Sequence, residues 1–152
     1  MSLRRRELLG LPLLAAGGLA RTATLPAPRS LAEELDRALE ARRPLLVMAS
    51  LDGCPFCKTV RDHFLAPLRT DTGQPIVQLD MGSAQAVADF DGRSRTHSQL
   101  LREWGVGVAP SVLFFGRGGR EVAERLVGAS IPDFYGAYLD QRLATALKRI
   151  AG

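Results

Sequence analysis

The chain contains two cysteines, Cys54 and Cys57, separated by Pro55 and Phe56. Two thiols at this spacing can form one bridge, exchange disulfides with another molecule, or supply half of a metal site. Haem attachment needs a histidine directly after the second cysteine, and Lys58 stands there. Zinc needs further ligands, and His63 and His97 lack paired ligand spacing. A purely structural bridge across so short a loop removes little chain entropy. Disulfide exchange is therefore the leading reading, with copper handling or a chaperone role through the same two sulfurs as the alternative. The attacking species in exchange is a thiolate, which a helix N-terminus stabilises through unpaired N–H groups and the positive end of the helix dipole. Cys54 is thus assigned as the nucleophile. Cys57, one turn on, faces inward and resolves the mixed disulfide.

The flanking residues must supply that helix start. Leu45 to Ser50 is an apolar run between Pro44 and Asp52-Gly53, and reads as a buried central strand. Pro55 opens a helix at a position where its missing N–H costs nothing, and Val60, Phe64 and Leu68 follow at four-residue intervals. Upstream, Ser30 with Glu33 has capping-box spacing, and Leu31, Leu35, Ala38 and Leu39 share one face until Pro44 ends the helix. Downstream, residues 74–80 read as a second strand, 98–104 as a short helix, 112–115 as a third strand, 116–119 as a glycine turn and 120–127 as a fourth strand. The last helix has Ser130 three residues before Asp133, and an expected core stripe of Phe134, Tyr138, Leu139, Leu143, Ala146, Leu147 and Ile150. Trp104 is expected in the core and His63 partly exposed on its helix.

A length of 152 residues with 46% apolar and 24% charged fits one globular domain and excludes a disordered or collagen-like chain. The net charge of +4 is concentrated at the start. Arg4, Arg5 and Arg6 precede an apolar run from Leu8 to Ala20, and small residues continue to Ala23, which is the pattern of an export signal. The run is shorter than the roughly 20 residues needed to span a bilayer. Arg5-Arg6-Glu7-Leu8-Leu9 is similar to a twin-arginine signal, although Arg4 stands where that motif prefers a hydroxyl residue, so the twin-arginine and general secretory routes both stay open. Cleavage after Ala23, within a window of 20–27, leaves 16 basic and 15 acidic residues, a net of +1. Nucleic acid and stable membrane insertion are then not expected. Residues 1–23 are read as the signal, 24–29 as a linker with Pro26 and Pro28, and 30–152 as a domain exported to the periplasm, where disulfides persist.

With Cys-Pro-Phe-Cys after a buried strand, Gly105-Val106-Gly107-Val108-Ala109-Pro110-Ser111 before another, a glycine turn, and Gly128 before the last helix, the chain resembles the thioredoxin superfamily. The resemblance implies an α/β thioredoxin-like fold, a central mixed sheet flanked by helices with the CxxC at the N-terminus of a helix following a central strand. It implies no cofactor, protein thiol or disulfide substrates, and re-reduction by a membrane electron donor. It makes Pro110 a cis proline packed beside the cysteines, with Ala109, Pro55 and Phe56 as substrate contacts. Asp89-Phe90-Asp91-Gly92 and Pro132-Asp133-Phe134 resemble, more narrowly, periplasmic thioredoxin-like proteins associated with bacterial sulfur oxidation. The chain leaves no room for the helical insertion of large periplasmic oxidants or the dimerisation domain of isomerases, which favours a reductase.

Several positions depart from the family pattern. Met48 stands where thioredoxins carry a buried acid six residues before the first cysteine, and Gly53 where they carry tryptophan. Proton handling by Cys57 then falls to water or another group, such as Asp52. Within an insertion over 82–97, residues 83–88 fit a helical turn, while Val87-Ala88-Asp89-Phe90 followed by Asp91-Gly92 fits an extended segment and a turn, with His97 at its end as a surface or helix-start residue. Pro55-Phe56 differs from the Gly-Pro of reducing thioredoxins and resembles the Pro-Tyr of glutaredoxins. It predicts an intermediate reduction potential within the roughly −270 to −120 mV spanned by such pairs. Equilibration in a glutathione redox buffer checks this, and a value below that of ordinary thioredoxin contradicts it.

Overall fold

The computed structural model describes residues 24–129 and 131–152; the segment read as an export signal, and Ser130, lie outside them. Helix α1 (Leu31–Glu40) begins where the Glu33 N–H donates to Ser30 Oγ at 3.3 Å, and buries Leu31, Leu35 and Ala38. It leads into strand β1 (Leu45–Ser50), whose six residues are all buried. The alternation of a strand sends Leu45, Val47 and Ala49 into one core cluster and Leu46 and Met48 into another. A strand covered on both faces has no polar face to show, which explains the unbroken apolar run.

β1 pairs in parallel with β2 (Ile76–Asp80) and antiparallel with β5 (Ser111–Gly116), which pairs antiparallel with β6 (Arg120–Val127). The order β2-β1-β5-β6 is a mixed sheet with β1 inside it. One face packs against α1 and α4 (His97–Glu103); the other packs against the helix after the cysteines and against α5 (Pro132–Ala151). Residues 24–29 form no regular element, but Leu25 and Pro28 are buried and the Pro26 carbonyl accepts the Gln78 N–H at 2.9 Å.

The helix after the cysteines is interrupted. α2 (Pro55–Val60) passes through a π-helical turn, Arg61–Leu65, into α3 (Ala66–Thr72). Pro67 has no N–H, and in a regular α-helix its ring would collide with the carbonyl four residues back; the wider turn, in which the Ala66 N–H reaches the Arg61 carbonyl, precedes it directly. The extra residue shifts the inward face, so Leu65 and Ala66 are buried while Phe64 and Leu68 are only partly so. A uniform four-residue repeat cannot anticipate that shift.

The 82–97 insertion is a hairpin. Ala86–Ala88 (β3) pairs with Ser94–Thr96 (β4), which agrees with the extended reading from Val87 and replaces the helical turn expected up to Ala88. Its turn is closed by Asp89 Oδ1, which accepts the N–H groups of Asp91 and Arg93 at 2.9 Å each. Burial alone would raise the Asp89 carboxyl, but those N–H groups and the Arg93 guanidinium hold it below the usual carboxylate range. Phe90 packs on Phe115 and Trp104, with ring centroids 4.8 and 5.9 Å away, and a Cβ at Gly119 would lie 2.6 Å from the Phe90 ring. Phe115 pairs with Leu45, at the end of β1 away from Cys54. The turn of the insertion therefore extends the distal core. Trp104 is half-buried at the C-cap of α4, against the core rather than inside it.

In α5 the inward face differs from expectation. Tyr135, Leu139, Leu143, Ala146 and Ile150 are buried, while Phe134 and Tyr138 are 60% and 47% exposed. His63 is exposed. His97 does start α4, but it is buried rather than at the surface: its Nδ1 accepts the Asp80 N–H at 3.3 Å and its Nε2 has no partner among the described residues. Burial pushes the His97 pKa down, with the Asp80 charge opposing. The unfolded chain therefore takes up this proton first, near the ordinary histidine value of about 6.5, so the native state is fully favoured above that pH and loses stability as the pH falls through it. Thermal melts are expected to show a Tm that declines below about pH 6.5, and His97→Asn, which keeps an acceptor toward Asp80, to remove most of that decline.

Candidate active site

β1 ends at Ser50, and Leu51-Asp52-Gly53 turns the chain into α2, with the Cys54 N–H donating to the Leu51 carbonyl at 3.3 Å. Gly53 has φ +71°, a conformation that side-chain-bearing residues rarely adopt. That requirement accounts for glycine immediately before the first cysteine. Cys54 is the N-cap of α2, in extended conformation, and its Sγ accepts the Cys57 N–H at 3.2 Å. Pro55 occupies the first turn, as its fixed φ and missing N–H favour.

The two thiols differ in access. Cys54 is half-buried, whereas Cys57 is 1% exposed. Their sulfurs are 2.6 Å apart, the Cys57 thiol donating to Cys54 Sγ. Burial pushes the Cys57 thiol pKa up and the hydrogen bond to Cys54 adds to this, while the Leu51 backbone and the Ser50 hydroxyl act in the opposite sense. Asp52 stands exposed on the turn and is not among the groups that act on Cys57. Met48, where an acid would lie beneath the pair, is fully buried and apolar.

A second element brings in the remaining expected residues. The Ala109–Pro110 bond is cis, and Cys54 Sγ lies 4.0 Å from the Ala109 carbonyl oxygen. The Pro110 carbonyl accepts the Gly128 N–H at 2.7 Å, which ties this loop to the end of β6. Phe56, Val108, Ala109, Pro110, Gly128 and Ala129 line an apolar cavity of about 220 Å³. Phe56 is 57% exposed at its rim. A second cavity at Cys54, of about 410 Å³, is lined by Leu51, Gly53 and Pro55 together with the charged residues Asp52, Lys58, Arg61 and Asp80. The fold thus gathers Cys54, Cys57, Pro55, Phe56, Ala109 and Pro110 from two distant stretches. Among the described residues, no group of three or more His, Cys, Asp or Glu is placed to hold a metal ion.

The residue missed from the sequence is Tyr135, which shares a core cluster with Cys57 and Met48. The stripe Tyr135, Leu139, Leu143, Ala146 and Ile150 was present as a signal, but Phe134 and Tyr138 offered an equally apolar face.

A family model described as a thioredoxin-like domain matches residues 31–143. The chain belongs to the thioredoxin-like family. Thioredoxin O2 from Arabidopsis thaliana, in its oxidized state, superposes with a TM-score of 0.53 at 16% identity, covering 80% of this chain and 96% of that one. DsbH oxidoreductase superposes with a TM-score of 0.53 at 18% identity, covering 95% of each chain. The periplasmic thioredoxin SoxS from Paracoccus pantotrophus, in reduced form, gives 0.46 at 18% identity, covering 68% of this chain and 98% of that one. At identities this low, the superpositions on thioredoxin O2 and DsbH show the fold alone. A search of curated proteins finds no match. This thioredoxin-like chain is accordingly a thiol-disulfide oxidoreductase by family, and its cysteine pair occupies the helix start that exchange requires.

The difference in access between the thiols is directly measurable. Iodoacetamide at neutral pH is expected to modify Cys54 first. In a Cys54→Ala variant, Cys57 should react at least about tenfold more slowly and accelerate as the pH rises, because the thiolate is the reactive species. Mass spectrometry of time points checks both, and equal labelling of the two sulfurs contradicts the assignment.

Proposed function

We propose that the protein reduces protein disulfides in the periplasm by dithiol exchange through its Cys-Pro-Phe-Cys motif. The observation that carries this reading is a half-exposed Cys54 sulfur in contact with a buried Cys57 sulfur, beside the cis Ala109–Pro110 bond. Cys54, as thiolate, attacks a substrate disulfide; one substrate sulfur leaves and the other stays bonded to Cys54. Cys57, as thiolate, then attacks Cys54 Sγ; the second substrate sulfur departs and takes up a proton, and the Cys54–Cys57 dithiol, now a disulfide, has given two electrons to the substrate. A membrane electron donor returns them. The trough beside Pro110 fits an extended substrate segment, with Ala109 and Phe56 in contact with it.

Reduction is favoured over oxidation because the segment between β2 and α4 is a short hairpin rather than a helical insertion. Export is supported by Arg4, Arg5 and Arg6 ahead of the apolar run from Leu8 to Ala20. The Asp89-Phe90-Asp91-Gly92 turn and the Pro132-Asp133-Phe134 helix start support kinship with the periplasmic proteins of sulfur oxidation.

The test is to express the full chain with Cys57→Ala in its own host and identify proteins disulfide-linked to Cys54 in the periplasmic fraction. Trapped partners are expected there, and insulin reduction by the wild type should be abolished by either Cys54→Ala or Cys57→Ala. No trapped partner together with no insulin reduction by the wild type would overturn the proposal.

A further inference from the structure

Tyr135 enters the core from the start of α5, 5% exposed, and its hydroxyl is sealed from solvent without a hydrogen-bond partner among the described residues. Leaving a buried hydroxyl unpaired is costly, so one that persists in a folded core calls for a state in which it is used. Its ring rests on Phe64, with centroids 5.0 Å apart. Elsewhere it borders a cavity of about 130 Å³ with Leu126, Gly128, Ala129 and Tyr138, which gives the ring room to shift.

The same cluster holds Cys57. Around the two lie Met48 of β1, Phe114 of β5, Leu126 of β6 and Leu139 of α5, none of which titrates. Cys54 is the titratable group that acts on the Cys57 thiol; Ser50 and the Leu51 backbone act on it without titrating. Burial holds the Tyr135 phenol protonated far above neutral pH, and charge on Cys57 would act in the same sense. Tyr135 is therefore a protonated donor without an acceptor among the described residues, in the same buried cluster as a thiol that must become an anion.

Resting on the exchange reading, we propose that the Tyr135 hydroxyl is the hydrogen-bond donor that stabilises the Cys57 thiolate while it resolves the mixed disulfide. In the dithiol, Cys57 keeps its proton, donates it in a hydrogen bond to Cys54 Sγ, and needs no donor. Once Cys54 is bonded to a substrate sulfur, Cys57 loses its proton to solvent and negative charge appears among apolar side chains. Tyr135 turns its O–H to that sulfur without giving up the proton. Cys57 then attacks Cys54 Sγ: the Cys54–substrate bond breaks, the Cys54–Cys57 bond forms, and the substrate thiolate leaves and is protonated from solvent. The hydroxyl takes over a role that Met48, having no polar hydrogen, cannot play.

Dithiobis(nitrobenzoate) separates the two steps, because attack by Cys54 releases one coloured thionitrobenzoate and resolution by Cys57 releases the second. Tyr135→Phe is expected to leave the first phase unchanged, slow the second about tenfold at neutral pH, and move its pH profile up by about one unit, the size of one hydrogen bond to a charged group. The variant should melt no lower than wild type, since it loses only an unpaired hydroxyl. As a second measurement, the thiolate absorbance of Cys57 in a Cys54→Ser background should titrate at higher pH when Tyr135→Phe is added. An unshifted second phase and an unshifted titration, with wild type releasing both equivalents, would overturn the role of Tyr135 and leave the exchange reading standing. A wild type that releases only one equivalent would overturn both.

Discussion

Strand β1 lies between two layers of helices, and with every side chain buried its register cannot slip by one residue without exchanging the two core clusters. The turn that follows is thereby fixed in space, and with it the start of α2. Everything at the site depends on that constraint. The cysteine at the N-cap meets the Ala109 carbonyl only because β5, which carries the cis Ala109–Pro110 bond at its entrance, pairs directly with β1. A residue fifty-five positions away is brought to 4.0 Å by the pairing of β1 with β5.

Placing the pair at the rim of the core then divides its labour. The same three-residue step that gives Cys54 access to solvent turns Cys57 into the cluster with Met48, Phe114 and Tyr135. Burial favours the thiol over the thiolate, which protects Cys57 from outside reagents but makes its own attack harder. A buried acid is one way to ease that step. Here the space beneath the pair is apolar, and the same cluster holds the hydroxyl of Tyr135, on α5, which packs on the same face of the sheet.

The departures from a regular pattern fall outside this central frame. The π-helical turn before Pro67 rotates the second half of the helix, which leaves Phe64 half-buried against Tyr135. The 82–97 hairpin runs away from the cysteines, and Phe90 at its tip fills a gap between Trp104, Phe115 and Gly119. Its closed turn, with Asp89 accepting two backbone N–H groups, acts as a plug for the distal core.

The elements that depend on local chemistry were legible in the sequence: the LLVMAS strand, the Ser30 cap, Pro55 at the helix start, and the glycine turn before Arg120. Their signals lie within one turn or one strand, where propensity and capping act. The proline matched through family resemblance to a cis position is cis in the fold. Only the tertiary structure decided which aromatic of Phe134, Tyr135 and Tyr138 points inward, that His97 is buried against the Asp80 N–H, and which of two readings of Val87-Ala88, helical turn or extended, the chain adopts. In each case the outcome depends on which distant surface arrives. A helix with apolar residues on neighbouring faces buries the one that meets the sheet, and a histidine at a helix start is buried when an unpaired N–H at a strand end needs an acceptor.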